Sequence, residues 1–220
     1  MVINQKYLVI WLFAFLYFCW GMLRFGLVID TDDWGILVNS RMLLDGQISG
    51  DPNKTFSILV GLCAVILDDP WIFPIVSSVL GAVACLGVYR IIEVITENSV
   101  VAFSGWAVVL VSPVMLWQVL SCNSISFMTC FLIWALYFFT SEDYLKGCLV
   151  LSLASLARPE PIFIAMFLSL FMIWKVRRGE LSCKSGITFI LILGLPPLWW
   201  MGFNELVYGR LFYSIKQVHQ

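Results

Sequence analysis

Long apolar runs limit what this chain can become. They cover about residues 7–29, 71–92, 99–118, 122–140, 146–158, 160–175 and 187–203, with few charges inside them. A bilayer core is about 30 Å thick and takes roughly 20 apolar residues to cross as a helix. In lipid the backbone must satisfy its own polar groups, so such runs become helices. Composition agrees: 61% of residues are hydrophobic and 12% charged, against roughly 45–50% and about 25% in ordinary soluble domains. The expected fold is all-α, a polytopic transmembrane bundle of about seven spans forming one domain over residues 1–220.

The first run starts after Lys6 and is too long, with no small-x-small cleavage signature near its end, to be a signal peptide. It reads as an uncleaved span. The third and fourth runs are one apolar region interrupted at Ser112-Pro113 and at Ser121-Cys122-Asn123-Ser124. The second interruption reads as a turn between two helices; a kinked helix with a re-entrant piece is the alternative. The fifth run is short and ends at Arg158-Pro159-Glu160-Pro161, where two prolines stop or kink a helix. Between the first two spans, the loop over residues 30–70 is expected to carry a pair of interfacial helices. Trp34, Leu37, Val38, Met42 and Leu44 interleave with Asn39, Arg41 and Asp45 in an amphipathic spacing. The apolar stretch 55–67 is too short to span.

Loop charges set an expected orientation. With the N-terminus inside, the inner segments carry Lys6, Arg90, Lys146, Lys175, Arg177, Arg178 and Lys184 against five acids, and the outer segments carry nine acids against five bases. The basic cluster at 175–178 in a short loop points to a cytoplasmic N-terminus. Asp30, Asp32, Asp33, Asp68, Asp69, Arg158, Glu160, Asn204, Glu205, Tyr208 and Arg210 then share the outer, periplasmic or lumenal, face. The inner loops read as ordinary charged connectors.

Several chemistries are excluded. A net charge of −1 offers no basic surface for nucleic acid, and the single histidine, His219, rules out histidine triads and multi-histidine metal sites. The seven cysteines fall mostly inside apolar runs without CxxC spacing, as small packing residues do. No span has an acid at its midplane and no pair of broken helices recurs in inverted halves, which argues against a transporter.

Asp30-Thr31-Asp32-Asp33 places three carboxylates within four residues at the outer end of the first span. Crowded carboxylates repel, so one gains a raised pKa unless a cation compensates, which suits it to general-base work. A divalent cation held by Asp32 and Asp33 is one such compensation. The plainer reading is a solvated acidic loop that helps to set topology.

From Asp32 onward the order of elements resembles the GT-C superfamily of membrane glycosyltransferases, in particular the group that uses dolichyl- or polyprenyl-phosphate sugars for mannose or aminoarabinose transfer. The elements are Asp32-Asp33, a surface helix with Arg41 ending in Leu43-Leu44-Asp45-Gly46, and Asp68-Asp69-Pro70-Trp71 before the second span. Tyr89-Arg90 ends that span and Ser112-Pro113 interrupts the third. Ala157-Arg158-Pro159-Glu160 and Pro196-Pro197 follow, then Asn204-Glu205-Leu206-Val207-Tyr208-Gly209. The resemblance covers nearly the whole chain.

It implies inverting transfer of a sugar from a polyprenyl-phosphate donor to an acceptor on the outer face. Asp32 would be the general base, Asp33 would orient the acceptor or help to hold a cation, and Asp30 is the alternative base. Arg158 would grip the donor phosphate through its fork of donors; pairing with Glu160 to hold the turn is the structural alternative. Arg41 and Arg210 are lesser phosphate candidates. Asp69 would line the acceptor groove or cap the helix after Pro70, and Asn204, Glu205 and Tyr208 would line the chamber. Family members continue with further helices beyond the seventh span, whereas this sequence stops at Gln220. The resemblance therefore also implies a truncated or split member, a minimal one that works with a protein partner supplying the missing helices, or a non-catalytic subunit of a larger glycan-assembly complex.

Overall fold

A computed structural model describes residues 4–25, 40–41, 44–45, 55–69, 71–121 and 124–209. Among these residues the chain is all helical. The helices are α1 (Gln5–Phe25), α2 (Thr55–Ile66), α3 (Ile72–Thr96), α4 (Ser99–Leu110), α5 (Pro113–Leu120), α6 (Ser124–Thr140), α7 (Tyr144–Ala157), α8 (Pro161–Arg177) and α9 (Cys183–Tyr208). Three of them, α1, α3 and α9 over Cys183–Leu206, are long and apolar enough to cross a membrane. The bent pair α4–α5 makes a fourth if it counts as one broken span. The runs expected as spans at 122–140, 146–158 and 160–175 are helices of 17, 14 and 17 residues.

The 57° bend between α4 and α5 has a local cause. Pro113 cannot donate a backbone hydrogen bond and drives Ser112 into extended geometry (ψ 128°), so α4 stops and α5 restarts with proline in its first turn. The stub end of α5 is then buried, and its last carbonyls need partners. Serine hydroxyls supply them: Ser77 donates to the Val119 carbonyl (2.8 Å) and Ser126 to that of Gln118 (2.6 Å). The same device lets α9 run through Pro196 and Pro197. The missing N–H of Pro196 releases the Ile192 carbonyl, and Ser152 of α7 donates to it at 2.8 Å.

α3 is the hub and packs against α1, α2, α4, α5 and α6. One core gathers Ile10, Phe18, Cys85, Tyr89, Trp106 and Val119 from the first half, and a second gathers Ala135, Leu151, Ala165, Met172 and Leu193 from α6–α9. Small residues let the backbones approach, the usual basis of helix packing in lipid. A Cβ on Gly81 would stand 2.4 Å from Val119 Cγ2 and 3.0 Å from the Phe18 ring, so the α1–α3–α5 crossing requires glycine there. Bulky apolar side chains such as Leu23, Val100, Phe167 and Leu206 point outward, the inverse of a water-soluble surface.

The connections alternate between two ends of the bundle. α1, α4, α7 and α9 begin, and α3, α6 and α8 finish, at the end that carries Lys6, Arg90, Lys146 and Lys175. Asp143 starts α7 there. Its carboxylate accepts the Lys146 backbone N–H at 3.3 Å and pairs with the Lys146 ammonium. The hydrogen bonds from Lys146 hold the Asp143 carboxyl below the usual aspartate range. A depressed carboxylate stabilises the fold above its unfolded-state pKa, and that contribution disappears as pH falls through the folded value. Carbon-13 NMR titration of Asp143 is expected to give a midpoint below the ordinary 3.8. Lys146→Ala should move that midpoint up, and an unchanged midpoint would remove Lys146 as the cause.

Candidate functional site

At the opposite end, α7 stops at Ala157 and α8 starts at Pro161. Arg158 sits between them in extended geometry (φ −154°, ψ 155°), because Pro159 forbids a helical residue before it. Its guanidinium is enclosed by this junction, with the side chain 26% exposed. Nε donates to both Glu160 carboxylate oxygens (3.0 and 3.2 Å), a second nitrogen reaches Glu160 Oε1 at 2.9 Å, and the third contacts Ser124 Oγ at 3.4 Å. The fork therefore already holds an anion. Glu160 is half-exposed and Ser124 is buried at the start of α6, so the carboxylate occupies the open side and the serine the closed side.

Asn204 lies in the last turns of α9, at the same end of the bundle. It is fully buried, and neither its amide nitrogen nor its carbonyl oxygen has a hydrogen-bond partner among the described residues. Leaving such a group unsatisfied costs about 1–3 kcal/mol per buried donor or acceptor, so the packing among the described residues does not account for this amide. Glu205, next to it, is exposed. Tyr208 closes α9, and its side chain lies outside the described part of the structure, as does the whole of Arg210.

Asp69 accepts the Trp71 backbone N–H at 2.9 Å, just ahead of α3. Arg41 is exposed, and its carbonyl accepts the Asp45 N–H at 3.1 Å. The acids on which the catalytic reading rests, Asp30, Asp32 and Asp33, lie outside the described residues. Among the described residues no three histidine, cysteine or carboxylate side chains stand close enough to share a metal ion.

The most developed polar cluster is at the basic end, which the sequence reading treats as ordinary connectors. Glu93 of α3 accepts from Lys6 Nζ (2.6 Å), Tyr7 Oη (3.0 Å) and Tyr89 Oη (3.2 Å), and Arg90 reaches it at 3.2 Å. Lys6 also donates to Ser99 Oγ at 3.0 Å. Arg90 hydrogen-bonds the Tyr7 hydroxyl and donates to Tyr137 Oη at 2.7 Å, with its guanidinium 4.5 Å from the Tyr7 ring centre. One carboxylate thus ties the start of α1 to the end of α3 and the start of α4, and Arg90 extends the tie to α6. Arg90 and Glu93, three apart near the end of an apolar run, were the readable part of this cluster. Lys6, 87 residues from Glu93, was not.

Compared with known proteins, the chain matches no family model, no curated protein and no solved structure.

Proposed function

We propose that this chain is a membrane glycosyltransferase of GT-C type. It moves a sugar from a polyprenyl-phosphate donor to an acceptor hydroxyl with inversion, on the face of the membrane away from a cytoplasmic N-terminus. Asp32 takes the acceptor proton, Asp33 orients the acceptor or shares a divalent cation, and Arg158 neutralises the leaving phosphate. The observation that carries this reading is the buried, unpartnered Asn204 amide at the end of the bundle where Arg158 stands. A sugar hydroxyl both donates and accepts, and so would satisfy either side of that amide. Arg158 supports the reading because a phosphate can take the same fork that Glu160 fills now, and charge developing near a membrane needs such a cation.

The test is transfer from a polyprenyl-phosphate sugar in reconstituted membranes. Arg158→Lys keeps the charge and loses the fork, so the KM for donor should rise about ten-fold, the value of one charge-assisted hydrogen bond. No transfer by the wild-type chain, alone or with its membrane partners, would reject the enzyme reading. A second reading, a non-catalytic subunit of a larger glycan-assembly complex, is favoured by Glu160 already satisfying Arg158. Under it, Arg158→Lys lowers thermal stability and leaves donor affinity unchanged.

A further inference from the structure

An apolar groove of about 280 Å³ lies between α8 and α9, lined by Ile162, Ala165, Met166 and Leu170 on one side and by Ile190, Leu193, Gly194 and Pro197 on the other. It covers about 12 Å of the α8 axis at 1.5 Å per residue. The stripe that forms its rim continues toward the basic end through Ile173 to Arg177, which lies two turns beyond Leu170 on the same helical face. Arg177 and Arg178 are exposed and form no ion pair among the described residues. Arg178 stacks 4.0 Å from the Trp174 ring. Lys175 donates to Tyr144 Oη at 2.9 Å and stands 3.9 Å from Glu180, so Glu180 is taken by Lys175 and Asp143 by Lys146. The α8–α9 turn is left with a surplus of positive charge at the end of an apolar trough.

We propose that the α8–α9 hairpin holds one anionic glycerophospholipid of the adjoining leaflet. Its phosphate lies at Arg177 and Arg178, and one acyl chain lies in the groove across Leu170, Leu193 and Gly194. The charge and the groove are separate observations, and a lipid of this class fits both. Juxtamembrane basic residues attract anionic headgroups by about 1 kcal/mol each, roughly five-fold in affinity. The phosphate end of this site, at Arg177 and Arg178, is at the opposite end of α8 from Arg158, and the proposal does not depend on the transferase reading.

The experiment is native mass spectrometry of the full chain in detergent, given equal amounts of phosphatidylglycerol and phosphatidylcholine with identical chains. The wild-type chain should retain phosphatidylglycerol at least ten-fold in preference. Arg177→Gln with Arg178→Gln should bring the ratio close to one while phosphatidylcholine still binds. Gly194→Leu should reduce retention of both lipids. A Cβ on Gly194 meets no atom within 4 Å, so the added side chain fills the groove rather than the protein interior. Equal retention of the two lipids by the wild type would overturn the proposal. So would a preference that survives the double substitution, or one lost instead on Arg158→Gln. Helical content and monodispersity of each variant exclude misfolding as the cause of a loss.

Discussion

Asp32→Asn is expected to lower sugar transfer by about 10²–10⁴-fold, the usual contribution of a general base, with donor binding retained. The substitution keeps the size of the side chain and its ability to accept a hydrogen bond but removes the basic oxygen. The loss should therefore fall on kcat and leave the donor KM largely in place. It is read as product formed per minute in proteoliposomes carrying a polyprenyl-phosphate sugar. Asp30→Asn is the control: it shares the loop and the charge, and under this assignment it retains most of the activity. Normal transfer in Asp32→Asn with loss in Asp30→Asn would move the base by two residues. Equal transfer in both variants and the wild type would remove the acidic loop from the chemistry. The divalent-cation question is answered in the same assay, by whether a chelator abolishes transfer in the wild type.

The second large effect is expected at the basic end of the bundle. Glu93→Ala removes the one carboxylate among the described residues that faces Lys6, Arg90, Tyr7 and Tyr89. Both cations would then share a partly enclosed helix end without a counter-charge. Breaking a fully buried pair from one side costs about 3–5 kcal/mol. Here the Lys6 and Arg90 side chains are 38% and 26% exposed, so water screens part of that loss and about 1–3 kcal/mol is the expected range. Thermal unfolding in detergent should show a drop of several degrees. Glu93→Gln retains an acceptor for the two tyrosine hydroxyls and should lose less. Lys6→Ala combined with Glu93→Ala should cost less than the sum of the single changes, because the two residues contact each other directly. Strict additivity would show that the network is a set of independent surface contacts rather than a tie between α1 and α3.

Much of the secondary structure was legible because its causes are local. The polar interruptions at Ser112-Pro113 and Ser121–Ser124 mark where α4, α5 and α6 stop and start, and the Arg158–Pro161 segment separates α7 from α8. Residues 55–67, too short to span, form the 12-residue α2. The candidate site was legible only in part. Arg158 and Asn204 stood out as polar residues at the ends of apolar runs, and the pairing of Arg158 with Glu160 was one of two readings their spacing allowed. The number of spans was less accessible. Runs of similar hydropathy became helices of 8 to 26 residues, because buried serine hydroxyls allow a helix to end or to pass a proline inside an apolar layer, and hydropathy does not register them.

By itself the sequence determined the solvent: long apolar runs with few charges must form helices in lipid, since the backbone finds no other partner there. It also determined where those helices break, because proline and serine act on their own backbone neighbours. Only the tertiary structure decided which carbonyl Ser152 relieves, which cations Glu93 collects and which amide is left unpaired at Asn204. The Ser152–Ile192 and Lys6–Glu93 contacts join residues 40 and 87 positions apart, and side-chain periodicity along one helix carries no information about which face of another helix it will meet.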